Sequence, residues 1–161
     1  MILSLLLLLP HAHAAPPVDD GHAVRAILSA TPFELTTSYP YDWSAEHPDV
    51  KSGTLLVLDV DPAWLVPSDI HQAVLFVGAV PAERVNTGFP DGRLVVIVPA
   101  GVDVARSPVY FSGYDLPERI DAAAGQKALE GAVNRGALPL PMTLATGVVL
   151  RDHEAVMKAG L

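Results

Sequence analysis

Four apolar segments between Gly53 and Gly113, each closed by turn residues, restrict this chain to a core built from strands. They are Gly53–Asp61 (GTLLVLDVD), His71–Val77 (HQAVLFV), Arg93–Val98 (RLVVIV) and Val109–Ser112 (VYFS). Side chains alternate along a strand, so Leu56, Leu58 and Val60 share one face of the first, while Leu55, Val57, Asp59 and Asp61 share the other. One face is wholly apolar. The second turns from apolar to charged, which places the exit from the core near Asp59, and Pro62 ends the ladder because it has no N–H to donate. Arg93–Val98 is apolar on both faces, as expected of a sheet covered on both sides.

Turn chemistry sets the connections. Gly78–Pro81 bends the chain. Pro90-Asp91-Gly92 joins a short strand at Glu83–Asn86 to Arg93–Val98 as a hairpin or wide loop. Upstream, Val24–Leu28 reads as a strand or a helical turn. Phe33–Thr37 (FELTT) reads as an edge strand on its alternation and β-branched threonines. The prolines and charges from Tyr39 to Ser52 read as a loop, and Asp61–Asp69 (DPAWLVPSD) as another.

Beyond Gly113 the pattern becomes helical. Pro117–Arg135 (PERIDAAAGQKALEGAVNR) has Pro117 and Glu118 in a suitable first turn and Gly136 beyond its end. Ile120, Ala124, Ala128, Ala132 and Val133 form a face of mostly small side chains, suited to close approach onto a sheet. Gly125 and Gly131 each cost about 1 kcal/mol relative to alanine, so packing must supply the stability. Leu144–Leu150 (LATGVVL) reads as a last strand and Asp152–Ala159 as a short helix.

The expected fold class is mainly β, a sandwich with one helix near Pro117–Arg135; the alternative is an α+β arrangement with a helix-covered antiparallel sheet. Val74–Ala82 and Leu94–Gly101 resemble the middle of an immunoglobulin-like domain of the IPT/TIG sort. A V-x-V-G-x-x-P-A strand and turn there leads to L-x-V-x-V-P-A-G. The resemblance implies an immunoglobulin-like sandwich; the helix after Gly113 departs from it.

Length and composition bound the rest. A chain of 161 residues, half of them hydrophobic, fits one domain. Ile2–Leu9 is an apolar run followed by Ala12-His13-Ala14, which reads as a secretory signal over residues 1–14, although no basic residue precedes it. Residues 15–31 then read as a flexible leader and 32–161 as one β-rich domain with C-terminal helical additions. The run is far short of the about 20 residues that span a bilayer, so no transmembrane segment is expected in the mature chain. The expected location is periplasmic or secreted, and the absence of cysteine excludes disulfides and thiol chemistry. A net charge of −8 disfavours nucleic acid as a partner.

The catalytic motifs are missing or broken. There is no G-x-S-x-G, Walker A or G-x-G-x-x-G. His153-Glu154 opens like H-E-x-x-H, but Met157 stands where the second imidazole belongs. No catalytic residue, metal ligand set or cofactor is therefore assigned. Asp59 and Asp61 are at most the beginning of a calcium site, with Asp42, Asp49 and Asp69 in nearby loops. Ser68-Asp69-Ile70-His71 could contribute to a hydrolytic or metal-dependent site with Asp59 and Asp61, or could simply form a turn.

The candidate binding residues are Tyr39, Tyr41, Trp43 and Trp64, all in predicted loops flanking Gly53–Asp61. Exposed aromatics stack on sugars or anchor a protein partner; buried ones would form a local core. The expected function is an exported, non-enzymatic binding or interaction domain of the bacterial envelope or secretome, with a protein or glycan partner. A small envelope hydrolase or metal-dependent enzyme around Asp59–His71, or a purely structural module, are the alternatives.

Overall fold

The computed structural model describes residues 23–62, 74–85, 91–112, 116–144 and 147–159. The expected signal over residues 1–14, Trp64, Ser68 and Asp69 of the expected loop, and His71 of the expected strand lie outside them.

The protein is mainly β, with two sheets. Strands β1 (Val24–Pro40), β2 (Asp49–Val60), β5 (Glu83–Arg84), β6 (Arg93–Pro99) and β8 (Met142–Leu144) form the larger sheet, in the order β5-β6-β2-β1-β8. Strands β3 (Leu75–Val77), β4 (Val80–Pro81) and β7 (Val109–Phe111) form the smaller one, in the order β4-β3-β7. Among the described residues two helices, α1 (Ala122–Asn134) and α2 (His153–Ala159), lie on either side of β8 in the sequence. None of the described helices is long and apolar enough to cross a membrane.

The two-residue period of the strands explains the layering. On β2 and β6, Leu56, Leu58, Val60, Leu94, Val96 and Val98 face inward and meet Leu75, Val77, Val109 and Phe111 of the smaller sheet in one aliphatic-rich core. The opposite face of the larger sheet carries Phe33, Leu35, Leu55, Val57, Val95 and Ile97, and is covered by Val156 of α2 and by Tyr41 and Val50. The opposite face of the smaller sheet carries Val74, Phe76 and Tyr110. It is covered by Ile120, Ala132 and Ala137, with Ala124, Ala128 and Leu129 packed alongside. Both faces of β6 are thus buried, as its sequence demands. The outer cover of the larger sheet comprises the loop after β1 and α2, which packs against β1; α1 covers the other sheet.

β5 and β6 pair antiparallel, with Glu83 opposite Ile97 and Arg84 opposite Val96. Gly92 takes φ +83, and a Cβ there would overlap the Val60 carbonyl oxygen. Its own carbonyl accepts the Val60 N–H at 2.7 Å, so the turn is locked onto the end of β2.

Several boundaries differ from the sequence reading. β1 begins at Val24, inside the segment assigned to a leader, because residues 24–31 pair with β2 from Val60 to Leu55. Phe33–Thr37 belongs to this same strand and is not at the sheet edge. On its far side Ile27 pairs in parallel with Met142 and Ala30 with Leu144, and Phe33 makes a bridge to Leu150. The loop after β1 shrinks to residues 41–48, since Tyr39 and Pro40 pair with Val50 and Asp49. The last described strand is Met142–Leu144, which overlaps the expected Leu144–Leu150 at Leu144, and Leu150 makes an isolated bridge. Helix α1 starts at Ala122, because the Asp121 side chain accepts the Ala124 N–H at 2.7 Å and caps it there. Val133 is 55% exposed, one residue and hence 100° round from the buried Ala132.

Candidate functional site

The loop of residues 41–48 connects β1 to β2 and touches three other parts of the molecule. The Tyr41 hydroxyl donates to the carbonyl of Pro81 in β4. The Asp42 N–H donates to the Glu83 carboxylate of β5 at 3.1 Å. The Trp43 carbonyl accepts the Ile120 N–H at 2.6 Å, and Glu46 accepts the Ala122 N–H at 3.2 Å at the start of α1. A carboxylate there faces the positive end of the helix dipole. Residues 118–122 are consequently stitched to the loop along its length.

Among the described residues, two recesses open along this junction. One, of about 360 Å³, is lined by Asp42, Trp43, Glu83, Glu118 and Arg119. The other, of about 190 Å³, lies among Ser44, Glu46, His47, Val80, Ile120 and Gln126, among others. A third, of about 350 Å³, runs beside α1 at Leu116, Lys127, Ala128 and Arg135.

The predicted aromatic set separates on folding. Tyr41 is fully buried, with 0% of its surface exposed, and serves the core rather than an exposed platform. Tyr39, at the end of β1, is half-buried and stacks on His153 of α2, with centroids 5.6 Å apart and planes 15° apart. Trp43 is half-buried, packs against the outer clusters of both sheets and lines the larger junction recess. Trp64 lies outside the described residues.

Burial shapes the titration of this region. Glu83 is raised above the usual carboxylate range, chiefly by desolvation and further by the charge of Asp42. The N–H groups of Asp42 and Arg84 and the Arg84 charge oppose that shift. Arg84 itself is lowered by burial. Tyr39 and Tyr41 are both raised, by burial first and then by Glu83.

The acidic residues do not converge in the same way. Asp61 pairs with Arg25 at 3.3 Å, and Asp59 sits opposite Arg93 across the β2–β6 ladder. Asp49 is exposed at the start of β2. Asp69 and His71 lie outside the described residues. His153, the first residue of the broken H-E-x-x-H, has Nε2 3.1 Å from the Thr37 carbonyl, and Glu154 pairs with Lys158 at 2.6 Å. Among the described residues, no three His, Asp or Glu side chains group as metal ligands would.

Sequence reasoning singled out Trp43 but missed Glu83, Glu118 and Arg119, its partners in the recess. Nothing local marks them: they lie 40 or more residues from Trp43, on a two-residue strand and in the segment before α1. Comparison with known protein families, curated proteins and solved structures finds no match for the chain.

Proposed function

We propose that this protein is an exported, non-enzymatic binding or interaction domain of the bacterial cell envelope or secretome. On this reading it is an immunoglobulin-like sandwich, acting in the periplasm or outside the cell on a protein or glycan partner. The observation that carries the proposal is the recess of about 360 Å³ in which the half-buried Trp43 stands beside Asp42, Glu83, Glu118 and Arg119. An indole supplies flat apolar area, and the surrounding charges supply directional contacts, the combination found where ligands dock. The volume lies at the small end of the range for ligand sites, about 300–1,000 Å³.

A second reading, a purely structural module, draws on Trp43 packing against two core clusters at once. The two separate by fluorescence. The chain has two tryptophans, so Trp64→Phe leaves Trp43 as the sole indole. A binding domain gives emission from Trp43 that iodide quenches, and that a ligand found on glycan and peptide arrays protects. Blue-shifted emission that iodide does not touch, with no Trp43-dependent array signal, leaves the structural module.

A further inference from the structure

The charges around Trp43 narrow the partner, granted that the recess is a binding site. Among the described residues, Asp42, Glu83 and Glu118 contribute three carboxylates to its lining, against one guanidinium from Arg119. Arg84, adjacent to Glu83 on β5, also acts on the Glu83 carboxylate, and even with it counted the acids remain in excess. Asp42 is exposed and its backbone N–H is spent on Glu83, which fixes the two carboxyl-bearing residues beside each other.

Glu83 sits where burial disfavours its ionised form and a neighbouring aspartate disfavours it further. A cation entering the recess would relieve both effects, whereas an anion would aggravate them. An ammonium or guanidinium also gains from an indole face, and its aliphatic stem gains from the apolar part of the wall. A neutral sugar would use the indole but would leave the excess negative charge uncompensated. A volume of about 360 Å³ suits one long side chain and its immediate backbone rather than a folded partner surface.

We propose that the recess lined by Asp42, Trp43, Glu83, Glu118 and Arg119 receives the lysine or arginine side chain of a basic segment of a partner protein. The chain, of net charge −8, would draw such a segment in by its overall field, and the recess would hold one residue of it.

The test titrates the Trp64→Phe protein with short acetylated, amidated peptides carrying a central lysine, arginine, glutamine or glutamate, and with neutral oligosaccharides, following Trp43 emission. The lysine or arginine peptides are expected to bind at concentrations below about 1 mM and to weaken as salt is raised. Glu118→Gln and Glu83→Gln, whose amide oxygen can still accept the Asp42 N–H, are each expected to weaken binding about fivefold. Arg119→Gln is expected to tighten it. Equal binding of the glutamine peptide, indifference to the glutamate substitutions, or no binding of basic peptides would overturn the proposal. If oligosaccharides alone bind, and Trp43→Ala abolishes that binding, the recess remains a ligand site and only its cationic specificity falls. If nothing binds in a Trp43-dependent way, the functional reading falls with it.

Discussion

The outer faces of the two sheets are covered by different means. Over the smaller sheet, α1 approaches so closely that a Cβ at Gly125 would overlap the Ala79 carbonyl oxygen. Beneath it Phe76 and Tyr110 stack with centroids 5.5 Å apart, and the Tyr110 hydroxyl donates to the Gly78 carbonyl at 2.8 Å. Over the larger sheet, the seven-residue α2 buries one side chain, Val156. It is held at its rim by exposed polar contacts: Arg151 with Glu34, His153 with Thr37, and the stacking of Tyr39 on His153. Close backbone approach and aromatic burial should make the α1 cover inseparable from global stability. A short helix with one buried anchor should behave as a local unit.

Truncating Phe76 to alanine tests the α1 side most severely. The side chain is fully buried, and its loss should cost about 3–5 kcal/mol by denaturant unfolding. A cost below that of a typical surface substitution would show that the smaller sheet is not part of the cooperative core.

Gly125→Val comes next. The added side chain must displace the helix from the Ala79 turn, with an expected loss of about 1–3 kcal/mol from overpacking. Unchanged stability would mean that the close approach between α1 and the turn does not exist in solution.

Alkaline pH provides a milder probe on both sides, since Tyr41 lies under the larger sheet's cover and Tyr110 under α1. Both phenols are raised above the ordinary value of 10.0, mainly by burial. A raised folded-state pKa means the unfolded chain releases its proton first. The stability linked to these groups is therefore fully present below about pH 10 and is lost as pH rises from there toward the folded-state value. Tyr110→Phe and Tyr41→Phe should each flatten the alkaline decline in Tm. A decline of unchanged slope in both variants would exclude these phenols as its cause.

The smallest effect is expected from Arg151→Ala. Both partners of the Arg151–Glu34 pair are more than half exposed, and such pairs contribute about 0–1 kcal/mol. Global stability should barely move, while amide hydrogen exchange in α2 should quicken relative to α1. Equal acceleration in both helices would erase the contrast between the two covers.

The strand content and the double burial of β6 were legible in the chain because a period of two residues, closed by Pro and Gly, requires only local sterics. The same held for the pairing of β5 with β6 and for the position of α2. Where prediction slipped, a distant segment decided the outcome. Phe33–Thr37 has the composition of an edge strand, yet it continues a strand whose far side pairs with β8, and Phe33 itself bridges to Leu150. Tyr39–Ser52 is rich in turn residues, yet both its ends pair in a ladder.

The site divides along the same line. Trp43 was identifiable as a large aromatic among prolines and charges, because composition alone marks such a residue. Its separation from Tyr41 was not, because two residues one step apart in type and two in sequence acquired opposite fates from their surroundings. Tyr41 found the Pro81 carbonyl beneath the sheet, and Trp43 was left at the meeting of two clusters. Nor could the sequence bring Glu83 and Glu118 to Trp43. The sequence by itself determined which central segments favour strand and which favour helix, and what chemistry each segment carries. Only the tertiary structure decided which of those chemistries face one another, because that depends on contacts between residues far apart in the chain, and local periodicity holds no information about them.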